Sequence, residues 1–232
     1  MAIFVVAHEK GGVGKTTLTF NLTGYFSGFI PTKVIDLDNN KMFTVLNDLR
    51  KMSGLEPFDL INLDQLSDQE FVNLLNEYAG AMDNLLVIDS GGFDSAANSR
   101  VAGIADFILT PAGNTAVEIF GLQKYQLVLD RIRAAKKKLN MGSDKLPCYV
   151  VFNRVHPNTK NYEETDLGRF LASSEHYSLL KSVVKDRRAF NSSIIEGGYT
   201  VLEKGSYDSK KELVDLGAEI SEILTSRLEG DK

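Results

Sequence analysis

One cysteine, Cys148, stands among 232 residues. That excludes an internal disulfide framework and fits a reducing compartment. Its neighbours Leu146, Tyr149, Val150, Val151 and Phe152 read as a buried strand, so the thiol reads as structural. The three histidines and the lone cysteine have no spacing that suits a structural zinc site. No apolar run approaches the ~20 residues of a membrane span. Met1-Ala2-Ile3-Phe4 runs straight into an apolar pattern and leaves no room for a signal peptide, so the expected location is cytoplasmic. Positive charge is not in excess either. The net charge is −5, and any nucleic-acid contact must come from a local basic patch. There is no internal repeat and no long low-complexity linker; the glycine-bearing stretch 142–145 reads as a surface turn. What is present is ordinary for a globular chain, with 43% hydrophobic and 25% charged residues. Residues 1–232 are expected to form one domain, with no separate N-terminal DNA-binding domain.

Short apolar runs at 3–7, 33–37, 58–62, 84–89, 107–111, 146–153 and 179–183 read as buried strands. Helical spacing fills most of the gaps, at 15–26, 41–52, 67–78, 94–103, 116–139 and 162–173. Two more helices are expected at 187–196 and 210–228. Such alternation implies βαβ units, and therefore an α/β fold with a mostly parallel, twisted sheet and helices on both faces.

The stretch His8-Glu9-Lys10-Gly11-Gly12-Val13-Gly14-Lys15-Thr16-Thr17 lies between the first strand and the first helix. Glycines let a backbone curl until several N–H groups point inward as a nest for an anion, and a helix start adds its positive dipole end. Lys15 is placed to reach β- and γ-phosphates, and the Thr16 hydroxyl to hold Mg²⁺. Glu9 occupies the place of the first glycine in the usual pattern, and Lys10 adds a second lysine. His8 and His156 adjoin nucleotide motifs, but phosphoryl transfer rests on positioning and charge more than on acid–base groups, so both read as incidental. His176 shows no evident partner in the sequence.

Asp36 and Asp38 end the second strand, spaced by one residue. Ligands of open α/β sheets bind beyond the carboxyl ends of the strands, so both carboxylates are placed to face the phosphates; the alternative is an aspartate capping the next turn. Leu85-Leu86-Val87-Ile88-Asp89 is an apolar strand ending in one acid, the Walker B arrangement, in which Asp89 holds Mg²⁺ directly or through water. Lys185, Arg187 and Arg188 form a dense basic cluster, read either as a DNA surface or as a solvated helix start. The basic run 131–138 reads as a solvated helix face.

The loop K-G-G-x-G-K-T-T resembles the deviant phosphate loop of the ParA/MinD superfamily of P-loop ATPases, and three further motifs follow in that family's order. The resemblance implies ATP and Mg²⁺ as cofactors. ATP is held by Gly11, Gly12, Val13, Gly14, Lys15, Thr16 and Thr17, and the metal by Thr16, Asp36 and Asp89. It further implies that Asp38 orients the attacking water and that Asn153 reads the adenine edge, an amide offering both a donor and an acceptor. Lys10 is expected to reach the phosphates of a second subunit in an ATP sandwich homodimer. That dimer is expected to bind DNA nonspecifically through Lys185, Arg187 and Arg188, and to be released by hydrolysis that a ParB-like or other adaptor stimulates. Two departures stand out. Asn39-Asn40 replaces the usual Pro-Gln, and Ser90-Gly91-Gly92 replaces Thr-Pro-Pro, which predicts a more mobile second switch.

Rival readings also weigh in. A MinD-like positioning ATPase for a protein or membrane cargo shares every motif but needs a basic amphipathic C-terminal anchor. The tail instead carries Glu219, Glu222, Glu229 and Asp231 against Arg227 and Lys232, which argues against a membrane anchor. A ligase of the dethiobiotin synthetase type has no use for Lys10. A nitrogenase-type reductase needs several thiolates and is excluded by the single cysteine. A scaffold that binds ATP without turnover stays open.

Overall fold

A computed structural model of the protein describes residues 2–79, 83–91, 96–139 and 146–230, with 228–230 described by backbone alone. The expected turn at 142–145, Gly92, and the start of the helix expected at 94 lie outside the described residues. Seven strands form one all-parallel sheet: β1 (Ala2–Val6), β2 (Thr32–Asp36), β3 (Asp59–Ile61), β4 (Leu85–Asp89), β5 (Phe107–Ala112), β6 (Cys148–Val155) and β7 (Ser178–Lys185). Their spatial order is β3-β2-β4-β1-β5-β6-β7. The apolar strands are buried on both sides, as parallel strands between helix layers must be. Along β1, Ile3 and Val5 enter one core while Phe4 and Val6 enter the other, the period of two that a pleated strand imposes.

Helices α3 (Asp68–Tyr78), α4 (Ala96–Ile104), α5 (Ala116–Lys138) and α6 (Asp166–Ala172) pack into the first core. Helices α1 (Lys15–Phe26), α2 (Met42–Met52), α7 (Arg188–Ile195), α8 (Val201–Lys204) and α9 (Tyr207–Gly230) cover the second. Helix α1 lies deep, with Leu18, Phe20, Leu22 and Phe26 buried beside Lys15, Thr19, Asn21 and Thr23. Its threonines remain in the helix by turning their hydroxyls onto carbonyls four residues back, Thr19 to Lys15 and Thr23 to Thr19. Gly217 of α9 lies against α1 where a β-carbon would come within 2.5 Å of the Tyr25 ring. Arg50 of α2 makes a two-pronged pair with Glu203 of α8, at 2.8 and 2.7 Å, and also donates to Glu56 O and Gly198 O.

Some boundaries differ from expectation. The pattern at 162–173 is not one helix but a short 3-10 turn over Tyr162–Glu164 followed by α6. The Thr165 hydroxyl accepts from Gly168 N to start α6, and Gly168 sits so close to Tyr162 O that no side chain fits there. Helix α8 adds to the expected set; a capping box between Thr200 and Glu203 starts it. Helix α9 begins at Tyr207 rather than 210.

Candidate functional site

Three strand ends meet where β1 turns into the glycine loop. Parallel register pairs Val6 with Asp89 and Asp89 with Asp36, so the two carboxylates are in-register neighbours on adjacent strands. Above them the loop bends at Gly12 (φ 80°) and Gly14 (φ 94°), a left-handed backbone that glycine adopts without strain. Gly14 is also the last residue before α1, and a β-carbon there would stand 2.6 Å from Asn153 Nδ2.

Lys15, the first residue of α1, is buried and folds back across the loop so that Nζ donates to Lys10 O at 3.1 Å. Burial lowers its pKa, while the charges of Asp89 and Asp38 act the other way. A desolvated ammonium thus lies over the glycine loop, with two carboxylates within electrostatic reach favouring its charged form. Such a group attracts a polyanion strongly, because little water screens it.

Asp89 is fully buried. Its Oδ1 accepts from Thr19 Oγ1 at 2.8 Å, and its Oδ2 is buried with no hydrogen-bond partner. Desolvation pushes its pKa up to about 7; the Thr16 and Thr19 hydroxyls and Lys15 pull it down, and Asp36 adds to the rise. A free carboxylate oxygen beside the Thr16 hydroxyl is the donor set a hard cation takes. The chain therefore fits Mg²⁺ at Thr16 and Asp89. Among the described residues there is no group of three or more His, Cys, Asp or Glu placed to hold a metal ion.

Asp36 is buried too, but its oxygens are engaged. Oδ1 accepts from Asp38 N at 3.1 Å, and Oδ2 accepts from Thr44 N at 3.0 Å and Thr44 Oγ1 at 2.9 Å. It ties the β2 end to the first turn of α2, which is the turn-capping alternative that the sequence left open. Asp38 is half-buried and curls onto Asn40 through Oδ1, at 2.9 Å to the backbone N and 3.2 Å to Nδ2. Gly91 packs against this segment, where a β-carbon would lie 3.1 Å from Asp38 Cα. In the described part of the second switch, glycine serves close contact with the first.

Lys10 is half-exposed at the loop front, with Nζ 4.0 Å from Glu118 Oε1 of α5. His8 is not incidental. It is fully buried, Nδ1 accepts from Lys10 N at 2.8 Å, and burial with the Lys15 and Lys10 charges lowers its pKa to about 4. Gly121 of α5 makes room for its ring, with a β-carbon there 2.7 Å from His8 Cε1. The sequence reading also misses Thr19, although a polar residue one turn after Lys15 in a buried helix is a legible signal. Glu118 carries no such signal.

On the other side of the loop, Asn153 at the end of β6 is buried, and its Nδ2 donates to Val13 O at 2.7 Å. The amide nitrogen thus braces the loop. Of the basic cluster, Arg187 is locked by α9: Nη1 lies 2.9 Å from Asp208 Oδ2 and Nε 2.8 Å from Glu212 Oε1. Arg188 is exposed and Lys185 is half-exposed. His176 does have a partner, with Nε2 2.8 Å from Asp130 Oδ1 on α5.

A parallel sheet with a glycine loop between β1 and α1, a buried lysine, and two strand-end aspartates beyond the carboxyl edge defines a nucleotide-binding α/β domain of the P-loop type. Residues 4–201 match the CobQ/CobB/MinD/ParA nucleotide binding domain, and the chain belongs to that family. No curated protein matches the sequence. Solved structures share the fold at low identity. A putative plasmid partition protein from Borrelia burgdorferi bound to AMPPNP has a TM-score of 0.65 at 18% identity, over 94% of this chain and 98% of that one. A MinC:MinD cell division protein complex from Aquifex aeolicus gives 0.63 at 15%, over 95% and 96%. The pNOB8 ParA bound to nonspecific DNA gives 0.58 at 17%, over 100% and 99%.

Proposed function

We propose that the protein is a ParA-type ATPase of plasmid or chromosome partitioning, which hydrolyses ATP with Mg²⁺ and cycles between nucleotide-dependent states. The observation that carries this reading is the buried Lys15, which folds back over the glycine loop onto Lys10 O within electrostatic reach of Asp89 and Asp38. When bound, Mg²⁺ supplies charge neutralisation for the phosphates. Thr16 and Asp89 are its protein ligands, and Asp36 holds the β2 end that carries Asp38. Asp38 orients the attacking water; to do so it releases Asn40 and turns inward. Lys10 leaves Glu118 and reaches the phosphates of a second subunit, giving an ATP sandwich dimer. Residues 11–17 cradle the phosphates. Asn153 contacts the adenine edge through Oδ1 while Nδ2 stays on Val13 O.

The dimer binds duplex DNA nonspecifically and is released by hydrolysis that a ParB-like or other adaptor stimulates, so that it sits on the nucleoid when ATP-bound. Arg187 is neutralised by Asp208 and Glu212, which leaves Lys185 and Arg188 from each subunit. Two copies then offer about four phosphate contacts, and the slope of log affinity against log salt is expected near roughly −4. A salt titration of DNA binding with ATP analogue, with ADP and without nucleotide tests this. Binding confined to the ATP state supports the reading; no binding by the parent at any salt sinks it. The same locked arginine favours a second reading, a positioning ATPase for a protein or membrane cargo, which that outcome would support.

A further inference from the structure

We propose that Arg154 is a nucleotide-contacting residue, an arginine that a bulge in β6 aims at the base-side phosphate of the bound nucleotide. Its backbone has φ 55°, left-handed for a residue with a side chain, a strained conformation that persists where the surroundings enforce it. The parallel register of β6 and β7 slips at the same place: Asn153 pairs with Val184 and Val155 with Lys185, with an irregularity between Asn153 and Val155. Bulges near ligand sites redirect a side chain, and this one turns an exposed arginine over the loop. Nη1 donates to Gly12 O at 2.6 Å, and Nε stands 3.6 Å from where a Gly14 β-carbon would be.

Asn153 and Arg154 thus grip consecutive loop carbonyls, Val13 O and Gly12 O, from one side. Grip alone does not require an arginine. A carbonyl is satisfied by any neutral donor, whereas a guanidinium has five N–H donors in a rigid fork suited to phosphate. Arg154 also lines a narrow gap of about 20 Å³ between the loop and α7, together with Thr17, Asn153, Lys185 and Asn191 among others. Asn153, the residue assigned to the base, lines the same gap, and binding sites for molecules of nucleotide size span about 300–1,000 Å³, so a nucleotide that reaches from the loop to Asn153 must widen it. The group that moves is the exposed arginine, because Asn153 is buried. Its charge then exchanges a neutral carbonyl for a phosphate oxygen, a stronger partner. The inference rests on the nucleotide-binding reading and deepens it.

The test uses the full chain with Mg²⁺ and fluorescent ATP or ADP, titrated at two salt concentrations, for the parent and for Arg154→Ala, Arg154→Gln and Arg154→Lys. Glutamine keeps a donor for Gly12 O without charge; lysine keeps charge without the fork. Ala and Gln are expected to weaken both nucleotides about tenfold, with a shallower loss of affinity as salt rises, and Lys to fall between them and the parent. Matching melting temperatures show that the fold is intact. If Gln binds like the parent while Ala does not, Arg154 is a loop brace and the proposal fails. It fails equally if all three variants bind like the parent. A parent that binds neither nucleotide overturns the underlying reading, and the inference with it.

Discussion

Replacing Asp89 with asparagine removes a charge that the fold holds at a loss. The carboxyl is fully buried, one oxygen has no partner, and desolvation lifts its pKa from 3.8 to about 7. At about 1.36 kcal/mol per pH unit, ionising it inside the fold costs roughly 4 kcal/mol more than ionising it in the unfolded chain. The folded value is the raised one, so the folded state binds more protons than the unfolded state between 3.8 and about 7. The parent's contribution from this group is therefore fully present below pH 3.8, declines as pH rises, and is gone above about 7. The amide of the Asp89→Asn variant does not titrate. Its new N–H₂ lacks a ready acceptor and costs about 1–3 kcal/mol at every pH. The sharp quantity is thus the change of ΔΔG with pH. With EDTA present and nucleotide withheld, urea denaturation of both proteins from about pH 4.5 to 8 should show Asp89→Asn gaining on the parent by roughly 3–4 kcal/mol. Titrating groups remote from Asp89 are common to both chains and cancel; Asp36 and Lys15 are coupled to it. Parallel stability curves would refute the account of a destabilised carboxylate. Mg²⁺-dependent hydrolysis should be lost in the same variant, a stability-for-function exchange common at active sites.

Lys15→Ala should abolish nucleotide binding and ATP-dependent dimers; a variant that still dimerises with ATP as the parent does, by light scattering, removes the loop assignment. If Lys10 acts across a dimer as proposed, Lys10→Ala should bind nucleotide yet lose turnover; unchanged turnover removes the two-lysine reading. His8→Asn should flatten the acid limb of the stability curve. With a folded pKa of about 4 against 6.5, His8 contributes fully above 6.5 and loses roughly 3 kcal/mol as pH falls to 4, so an unchanged acid limb in denaturant titrations contradicts its burial as a neutral ring. Arg50→Ala should cost roughly 2–4 kcal/mol in urea unfolding at neutral pH, since it strips Glu203 and two carbonyls of their donor; a cost under about 1 kcal/mol would mean the pair is solvated.

The sheet was legible because parallel strands between helix layers are continuous apolar runs, and each of the seven expected runs overlaps an observed strand. The long helices were legible as well, whereas α8, only four residues long, was not expected despite its capping box. What local pattern could not show was the break at Thr165, where one hydroxyl and the absence of a Gly168 side chain divide a continuous helical period. Around the loop, the motif reading anticipated where residues sit in the fold: Lys15 and Thr16 open α1, Asp36 and Asp89 close β2 and β4, and Asp38 follows β2 by two residues. Partners brought in from afar were invisible. Glu118 reaches Lys10, Asp130 reaches His176, and Asp208 with Glu212 disarms Arg187, each across a separation no motif encodes. The last of these matters most, because a basic cluster read as sequence counts charges that the fold has already paired.

The loop itself is defined less by its glycines than by what grips it. Gly12 and Gly14 permit the left-handed turns, but the turns persist because distant groups occupy the loop's own polar atoms. His8 takes Lys10 N, Lys15 takes Lys10 O, Arg154 takes Gly12 O and Asn153 takes Val13 O. Three of these four bonds consume carbonyls, and carbonyl oxygens are the atoms that would repel a phosphate. A carbonyl engaged by a donor presents less negative charge to an anion, which favours the polarity a phosphate nest needs. The arrangement also explains why Gly14 tolerates no side chain: a β-carbon there would displace Asn153 Nδ2, 2.6 Å away, from the carbonyl it restrains. In the unliganded loop, Lys15 of α1 and Asn153 and Arg154 of β6 hold these carbonyls, and buried Asn153 is the one placed to keep its grip when a nucleotide binds. A substitution that frees one of them should weaken nucleotide binding even where it touches no phosphate.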